Sequence, residues 1–381
     1  MSGRRCALVI GVATFALLAC SLTSSLDELS AGVRGDDSGD AEAGAGPEGG
    51  SGADGAFEAD ATRPCNDTMS DPLHCGRCGH SCLGDPCAAG ACVPTIVAAL
   101  DAGAFGIAVD DTTLYFAQER EGATPGKLLK APKGGHGAAT VLIELSGRGL
   151  SPRDVVLDPP YAVTTNDWSG SGAASVYRVP ADGGLAQPFA QACDADGNGG
   201  LAVDATSVYY GTNNGNVMRA GKSSDCGQVL ATGQPGLRQI AIDGTTVFFT
   251  NDEGTSHGLV SVPKAGGAAT SLASESFTTA WGVLVDGTKL LVTTLDGRVL
   301  RMNKDGSNLE VIAAKQADPR GLATDSTKIY WASQTSGEIW SADKVGGGLA
   351  LLAKGPAAQM VAVDVDRVYW TTSSGVMRVA K

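Results

Sequence analysis

Seven times in this chain a short hydrophobic segment ends in aspartate and is followed, a few residues on, by an aromatic-rich run. The copies are GIAVD ending at Asp110, DVVLD at Asp158, GLAVD at Asp204, QIAID at Asp243, GVLVD at Asp286, GLATD at Asp325 and MVAVD at Asp364. Successive aspartates stand 48, 46, 39, 43, 39 and 39 residues apart. A period near 40 with several short strands per unit predicts a β-propeller, because one four-stranded unit cannot bury both its faces and must stack against neighbours.

The third copy shows the unit strand by strand: 200–204, 208–213, 215–222 and 227–233. Val, Ile, Tyr and Phe alternate there with small or polar residues, the period-two pattern of sheet. Asp243-Gly244, Asp286-Gly287, Asp296-Gly297 and Asp305-Gly306 supply tight-turn chemistry between strands. The last unit ends after three strands, while Thr95–Leu100 precedes Asp110 at the offset of a fourth strand. The expectation is an all-β, seven-bladed propeller over residues 94–381, with six blades as the fallback count. Its N-terminal strand would complete the last blade and so close the ring.

The runs IYWA (329–332), VYWT (368–371), VYYG (208–211) and LYFA (114–117), with PRGLATD (319–325), resemble the YWTD repeats of LDL-receptor-type propellers. NHL-type propellers are similar. The resemblance spans roughly residues 95–381 and is weakest in the Asp158 and Asp286 units. It implies a fold that hosts both enzymes and binding scaffolds. The repeated aspartates read as structural groups that bridge turn amides or a neighbouring blade.

Before the propeller the chain reads as three segments. Arg4-Arg5 and an apolar run to Ala19 describe a secretory signal over 1–19, too short to span a membrane. LLAC (17–20) resembles a bacterial lipobox, which implies lipidation of Cys20, a membrane anchor and the bacterial cell envelope. Ser21 is similar to residues that follow the cysteine in outer-membrane lipoproteins. Residues 20–62 form the second segment. Asp36–Asp60 carries eight acids and no base among Gly, Ala and Ser, a disordered and self-repelling tether. The whole chain bears −13, yet Thr95–Lys381 has 28 acids against 23 bases, a net of −5. The acidity therefore belongs largely to the tether, and it argues against nucleic acid as a partner.

The third segment, 63–93, concentrates Cys65, Cys75, Cys78, Cys82, Cys87 and Cys92 with almost nothing apolar between them. Such a segment needs covalent staples, so three disulfides of open connectivity are expected. Zinc is the competing reading, since His74 and His80 flank the CxxC. The HCGRCGHSC core resembles short CGxCGxxC segments of myxobacterial surface proteins. A further disulfide is expected between Cys193 and Cys226 in the propeller.

In a propeller, the loop entering the first strand and the loop leaving the second emerge on one face, around the axial channel. Five residues before each aspartate lie Phe105, Arg153, Gly199, Arg238, Trp281, Arg320 and Gln359. Nine residues after it lie Glu119, Asp167, Asn213, Asp252, Leu295, Gln334 and Ser373. Arginine forks beside aromatic platforms suit carboxylates, phosphates and sugars, which makes the first ring, with Trp168 from the long second-blade loop, the candidate ligand site. Asp167 and Asp252 stand 14 residues after Arg153 and Arg238, so those two pairs can neutralise themselves. Arg320 faces Gln334 instead, and is expected to stay open to an anionic or carbohydrate ligand beside Trp281.

The function expected is binding of a glycan, an anionic small molecule or a protein, with no cofactor and no metal. The alternatives are a gluconolactonase-like or streptogramin-lyase-like enzyme and a structural envelope protein. Asp167, Asn213 and Asp252 keep the first kind of enzyme open. His257 with Glu253 touches the second, but His136 lies in a different loop.

Overall fold

The computed structural model describes residues 65–135, 138–145, 151–166, 176–190, 197–222, 227–252, 258–272, 277 and 279–381. Cys20, Trp168, Asp167, Cys193, Cys226, His136, His257 and Glu253 lie outside them, as do the signal and tether segments.

Seven four-stranded antiparallel sheets follow one another, each running outward from an inner strand. The inner strands are Ala104–Val109, Pro152–Asp158, Gly197–Val203, Leu237–Ile242, Ala280–Asp286, Pro319–Thr324 and Ala358–Val363. The seventh blade is completed from the other end of the propeller. Thr95–Ala99 pairs with Gly375–Ala380, Thr95 opposite Arg378 and Ile96 opposite Met377. The protein is thus a seven-bladed β-propeller whose ends are joined by ladder hydrogen bonds.

The repeat aspartate explains much of the local folding. In five blades its Oδ1 accepts the N–H groups two and three residues on, as Asp204 does from Thr206 and Ser207, turning the chain into the second strand. In four blades Oδ2 accepts the hydroxyl of the tyrosine five residues on: Tyr115, Tyr209, Tyr330 and Tyr369, at 2.8–3.1 Å. This is why an aromatic with a hydroxyl stands at the head of the second strand. Trp331 and Trp370 behind it are fully buried between blades.

Sequence reasoning missed the partner that ties the blades together. In six of the seven blades a lysine at the end of the third strand reaches back to the aspartate of the preceding blade. The pairs are Lys222–Asp158 at 2.6 Å, Lys264–Asp204 at 2.7 Å, Lys304–Asp243 at 2.8 Å, Lys344–Asp286 at 2.7 Å, Lys381–Asp325 at 2.7 Å and, across the closure, Lys133–Asp364 at 2.9 Å. The second blade has Ala181 in place of the lysine, and the Ala181 carbonyl instead accepts from Lys130 of the first blade at 2.7 Å. The signal was present: a lysine recurs 17 to 23 residues after every repeat aspartate but the second.

Burial alone would raise the pKa of Asp204, Asp243, Asp325 and Asp364. Donation from the cross-blade lysine and from turn amides outweighs it and holds all four below the ordinary carboxylate value. Their depressed folded pKa makes the contribution of this girdle of cross-blade ion pairs present above the unfolded value of about 3.9 and lost as pH falls through the folded values. The expected result is a urea midpoint that is level near neutrality and declines steadily below about pH 4. A midpoint unchanged to pH 2 would show that the girdle contributes nothing.

The cysteine-rich segment is stapled by Cys65–Cys78, Cys75–Cys87 and Cys82–Cys92. Among its described residues the paired strands are the short hairpin Cys87–Ala88 and Ala91–Cys92. The six sulfurs expected to form disulfides do so, and the clustered Cys75, Cys82 and Cys92 sulfurs belong to two of these bonds, which removes the zinc reading. The segment is docked on the last blade. His80 Nε2 lies 2.8 Å from the Lys381 backbone oxygen, and Arg367 donates to the Leu83 carbonyl at 2.6 Å. Asp85, 3 % exposed, accepts from Arg378 at 2.8 Å and from Thr95 at 3.1 Å, with Arg367 3.8 Å away.

Candidate functional site

Every inner strand carries a β-bulge at its channel-mouth end, just where the ring of candidate residues falls. The register slips between Ala104 and Ile107, Pro152 and Val155, Gly197 and Leu201, Leu237 and Ile240, Ala280 and Gly282, Pro319 and Leu322, and Ala358 and Val361. A bulge bends the strand and re-aims the extra residue, so side chains that a regular strand would send between blades turn toward the axis. Second-strand threonines stabilise the bulges. Thr250 accepts from the Gln239 N–H and donates to the Trp281 carbonyl at 2.7 Å. Thr371 joins Met360 to the Phe105 carbonyl in the same way, and Thr293 joins Gly282 to Arg320.

The ring so assembled is a stack across the mouth. Phe105 of the first blade and Trp281 of the fifth meet with centroids 5.9 Å apart. The Arg153 guanidinium covers Phe105 at 4.5 Å, and that of Arg320 covers Trp281 at 5.3 Å. Cation–π contact and burial both favour this order, and Phe105 and Trp281 are left 5 % and 3 % exposed.

Two expectations fail here. Trp281 is no platform for a sugar, because Arg320 and Phe105 already pack against its ring. Nor is Arg320 open to an anion. Asp318, two residues before it, accepts from Arg320 Nε and Nη2 at 3.1 and 2.9 Å, and Gln359 accepts from Nη1 at 3.1 Å. The acid lies at the turn into the first strand, not at the position after the second. Arg238 does pair with Asp252, at 2.6 Å, which also commits the carboxylate that a gluconolactonase-like metal site would use. Asn213, Leu295 and Ser373 are exposed and outside the stack, while Gly199 is buried beneath the mouth.

Behind the stack lies a second tier that sequence reasoning passed over: the residues four before each aspartate. Asp154, Gln239 and Met360 alone carry side chains there beyond glycine, and all three line an axial cavity of about 120 Å³.

No family model matches this sequence, and no curated protein matches it. Solved structures show the fold. One described as a streptogramin B lyase structure superposes with a TM-score of 0.63 at 11% identity, covering 75% of this chain and 96% of that one. The WD40 propeller domain of Doa1 gives 0.57 at 13% identity, covering 76% and 96%. YCF48 bound to D1 peptide gives 0.56 at 11%, covering 75% and 97%.

Proposed function

We propose that this protein is a YWTD/NHL-like propeller of the bacterial cell envelope that holds a protein or peptide partner on its channel mouth and carries out no chemistry there. The observation that supports it is the mouth stack. Its aromatics are spent on each other and on guanidinium groups, and Arg238 and Arg320 are charge-matched within their own blades. What remains for a partner is a broad rim of guanidinium edges, carboxylates and carboxamides. Such a rim matches mixed-charge protein surface better than a small anion or a sugar, which would have to displace internal pairs. The peptide complex of a fold neighbour, YCF48 with D1 peptide, is in keeping with this reading.

The chain from residue 65 is to be screened against peptide and glycan arrays, with Arg238→Ala/Asp252→Ala as the control. That double change removes a rim pair without leaving a lone charge. Peptide hits weakened about tenfold by it would support the reading. Glycan-only hits, or peptide hits indifferent to the change, would overturn it.

Anchoring follows from LLAC and is tested separately. Cys20→Ser should move the full chain from the detergent phase to the aqueous phase, and retention in detergent would rule out a lipid on Cys20.

A further inference from the structure

The chain plugs two of the grooves between its own blades with the same group. Between the third and fourth blades, Gln234 donates its backbone N–H to the Gly215 carbonyl, and its Oε1 accepts from Asn251 of the fourth at 2.9 Å. Between the fifth and sixth, Gln316 bonds the Gly297 carbonyl in the same way, and its Oε1 accepts from Trp331 at 2.9 Å. At the ring's closure, between the seventh blade and the first, the backbone N–H in that place is Leu100's, bonded to the Ser374 carbonyl at 3.0 Å. A leucine brings no carboxamide to the groove.

Gln118 of the first blade ends its second strand as Asn251 ends that of the fourth. It is 2 % exposed, and its Nε2 reaches the Pro125 carbonyl at 3.5 Å, longer than a good hydrogen bond. Among the described residues its Oε1 accepts no hydrogen bond, a state that buried carboxamides rarely keep. In front of it lies a cavity of about 380 Å³, walled by Val97, Leu100 and Leu129, with Lys127 beside Gln118. Lys127 Nζ stands 3.9 Å from Glu144, a loose pair that leaves ammonium N–H groups to donate. The exposed Ala99 and Asp101 lie on its open side. A primary carboxamide carries donors for Gln118 Oε1 and an acceptor for Lys127, and a short alkyl stem suits the apolar walls. A carboxylate would answer the lysine alone, and an ammonium the carboxamide oxygen alone. The volume exceeds one side chain and leaves room for the peptide backbone on either side of it.

We propose that this closure groove is a binding site for a glutamine side chain presented by a peptide, which supplies from outside the carboxamide that Gln234 and Gln316 supply from within. The assignment rests on the reading of the protein as holder of a peptide or protein partner, and adds a side chain that it would select.

The test titrates the full chain with propionamide, following the methyl resonances of Val97, Leu100 and Leu129, against propionate and N,N-dimethylpropionamide. Acetyl-Ala-Gln-Ala-N-methylamide is compared with its glutamate and norleucine counterparts. Saturable shifts with propionamide are expected, at least about tenfold weaker for either comparison compound, and a similar margin for the glutamine peptide over the other two. Leu100→Gln, which brings a carboxamide into the groove from within, should abolish both responses. Should that variant not fold, the two probe series decide on the parent alone. Propionamide needs nothing from the rim, so its titration and the array screen can fail separately. Propionate binding as well as propionamide would overturn the assignment in favour of an anion site at Lys127. No saturable shift would overturn it in favour of a cleft holding solvent only. Propionamide binding without preference for the glutamine peptide would overturn the peptide as the source of the carboxamide.

Discussion

Replacing Asp85 by alanine is expected to destabilise the folded chain by about 3–5 kcal/mol, the range for removing one member of a buried ion pair. The Asp85 and Arg378 side chains are 4 % and 7 % exposed, and Arg367 beside them is 14 % exposed. Without the carboxylate, two guanidinium groups face each other in a nearly dry junction. Among the described residues, Arg378 then keeps Thr95 and the Lys133 carbonyl as hydrogen-bond partners. The same residue holds three parts of the molecule at once: the cysteine-rich segment through Asp85, the closing strand through Thr95 and the first blade through Lys133. Loss of Asp85 should therefore loosen the ring at its closure as well as the small segment. The measurement is the urea midpoint and slope of the chain from residue 65, with Asp85→Asn alongside. Asparagine keeps an acceptor but not the charge, so its loss should be smaller. A chain begun at residue 93 should resemble the alanine variant, because it too leaves both arginines without their acid. Midpoints equal to the parent's for all three would show that the segment is a passive appendage.

That junction could not be read from the sequence, and the reason is physical. Cysteine spacing announces staples locally, but nothing in it tells which surface the stapled segment will cover. Arg378 looks like one more strand-three cation, equivalent to Lys130 and Arg219, which donate to backbone carbonyls of the next blade. Only the fold shows that the last blade turns the same side chain toward Asp85. The blade count and the clasp, by contrast, were legible, since both follow from periodicity and from one missing strand. The aspartate was legible as a turn former because its turn residues are adjacent in sequence. Its lysine partner comes from the next repeat, where a variable offset hides it.

The mouth divides in the same way. The position five residues before each aspartate was a sound guide to which residues meet at the axis, because a bulge recurs there in every blade. Their mutual contacts were not legible. Phe105 and Trp281 are 176 positions apart in the chain, and whether two such rings meet depends on channel width. The neighbouring tier was overlooked because glycine in four of seven repeats reads as a turn residue. Here it marks close approach of backbones, which concentrates the three remaining side chains in one chamber.

Trp281→Ala therefore becomes a stability experiment before it is a binding one. Truncating a tryptophan that is 3 % exposed should destabilise by about 3–5 kcal/mol, from lost transfer energy and from the cavity left behind. The site cannot readily collapse, because seven bulged strands fix the channel's width and Thr250 holds the Trp281 carbonyl from the neighbouring blade. Phe105 would lose its ring partner and Arg320 its platform, while the Arg320–Asp318 pair would persist at the rim. Arg320→Ala should be milder, about 1 kcal/mol or less, since that pair is partly exposed, each side chain 22 % so. Trp281→Phe should fall between the two, keeping an aromatic face for Arg320 while losing part of the volume. Denaturant midpoints of the three variants give the order directly. If Trp281→Ala unfolds where the parent does while Arg320→Ala does not, the ring is not part of the packed interior, and Trp281 returns as a surface available to a ligand.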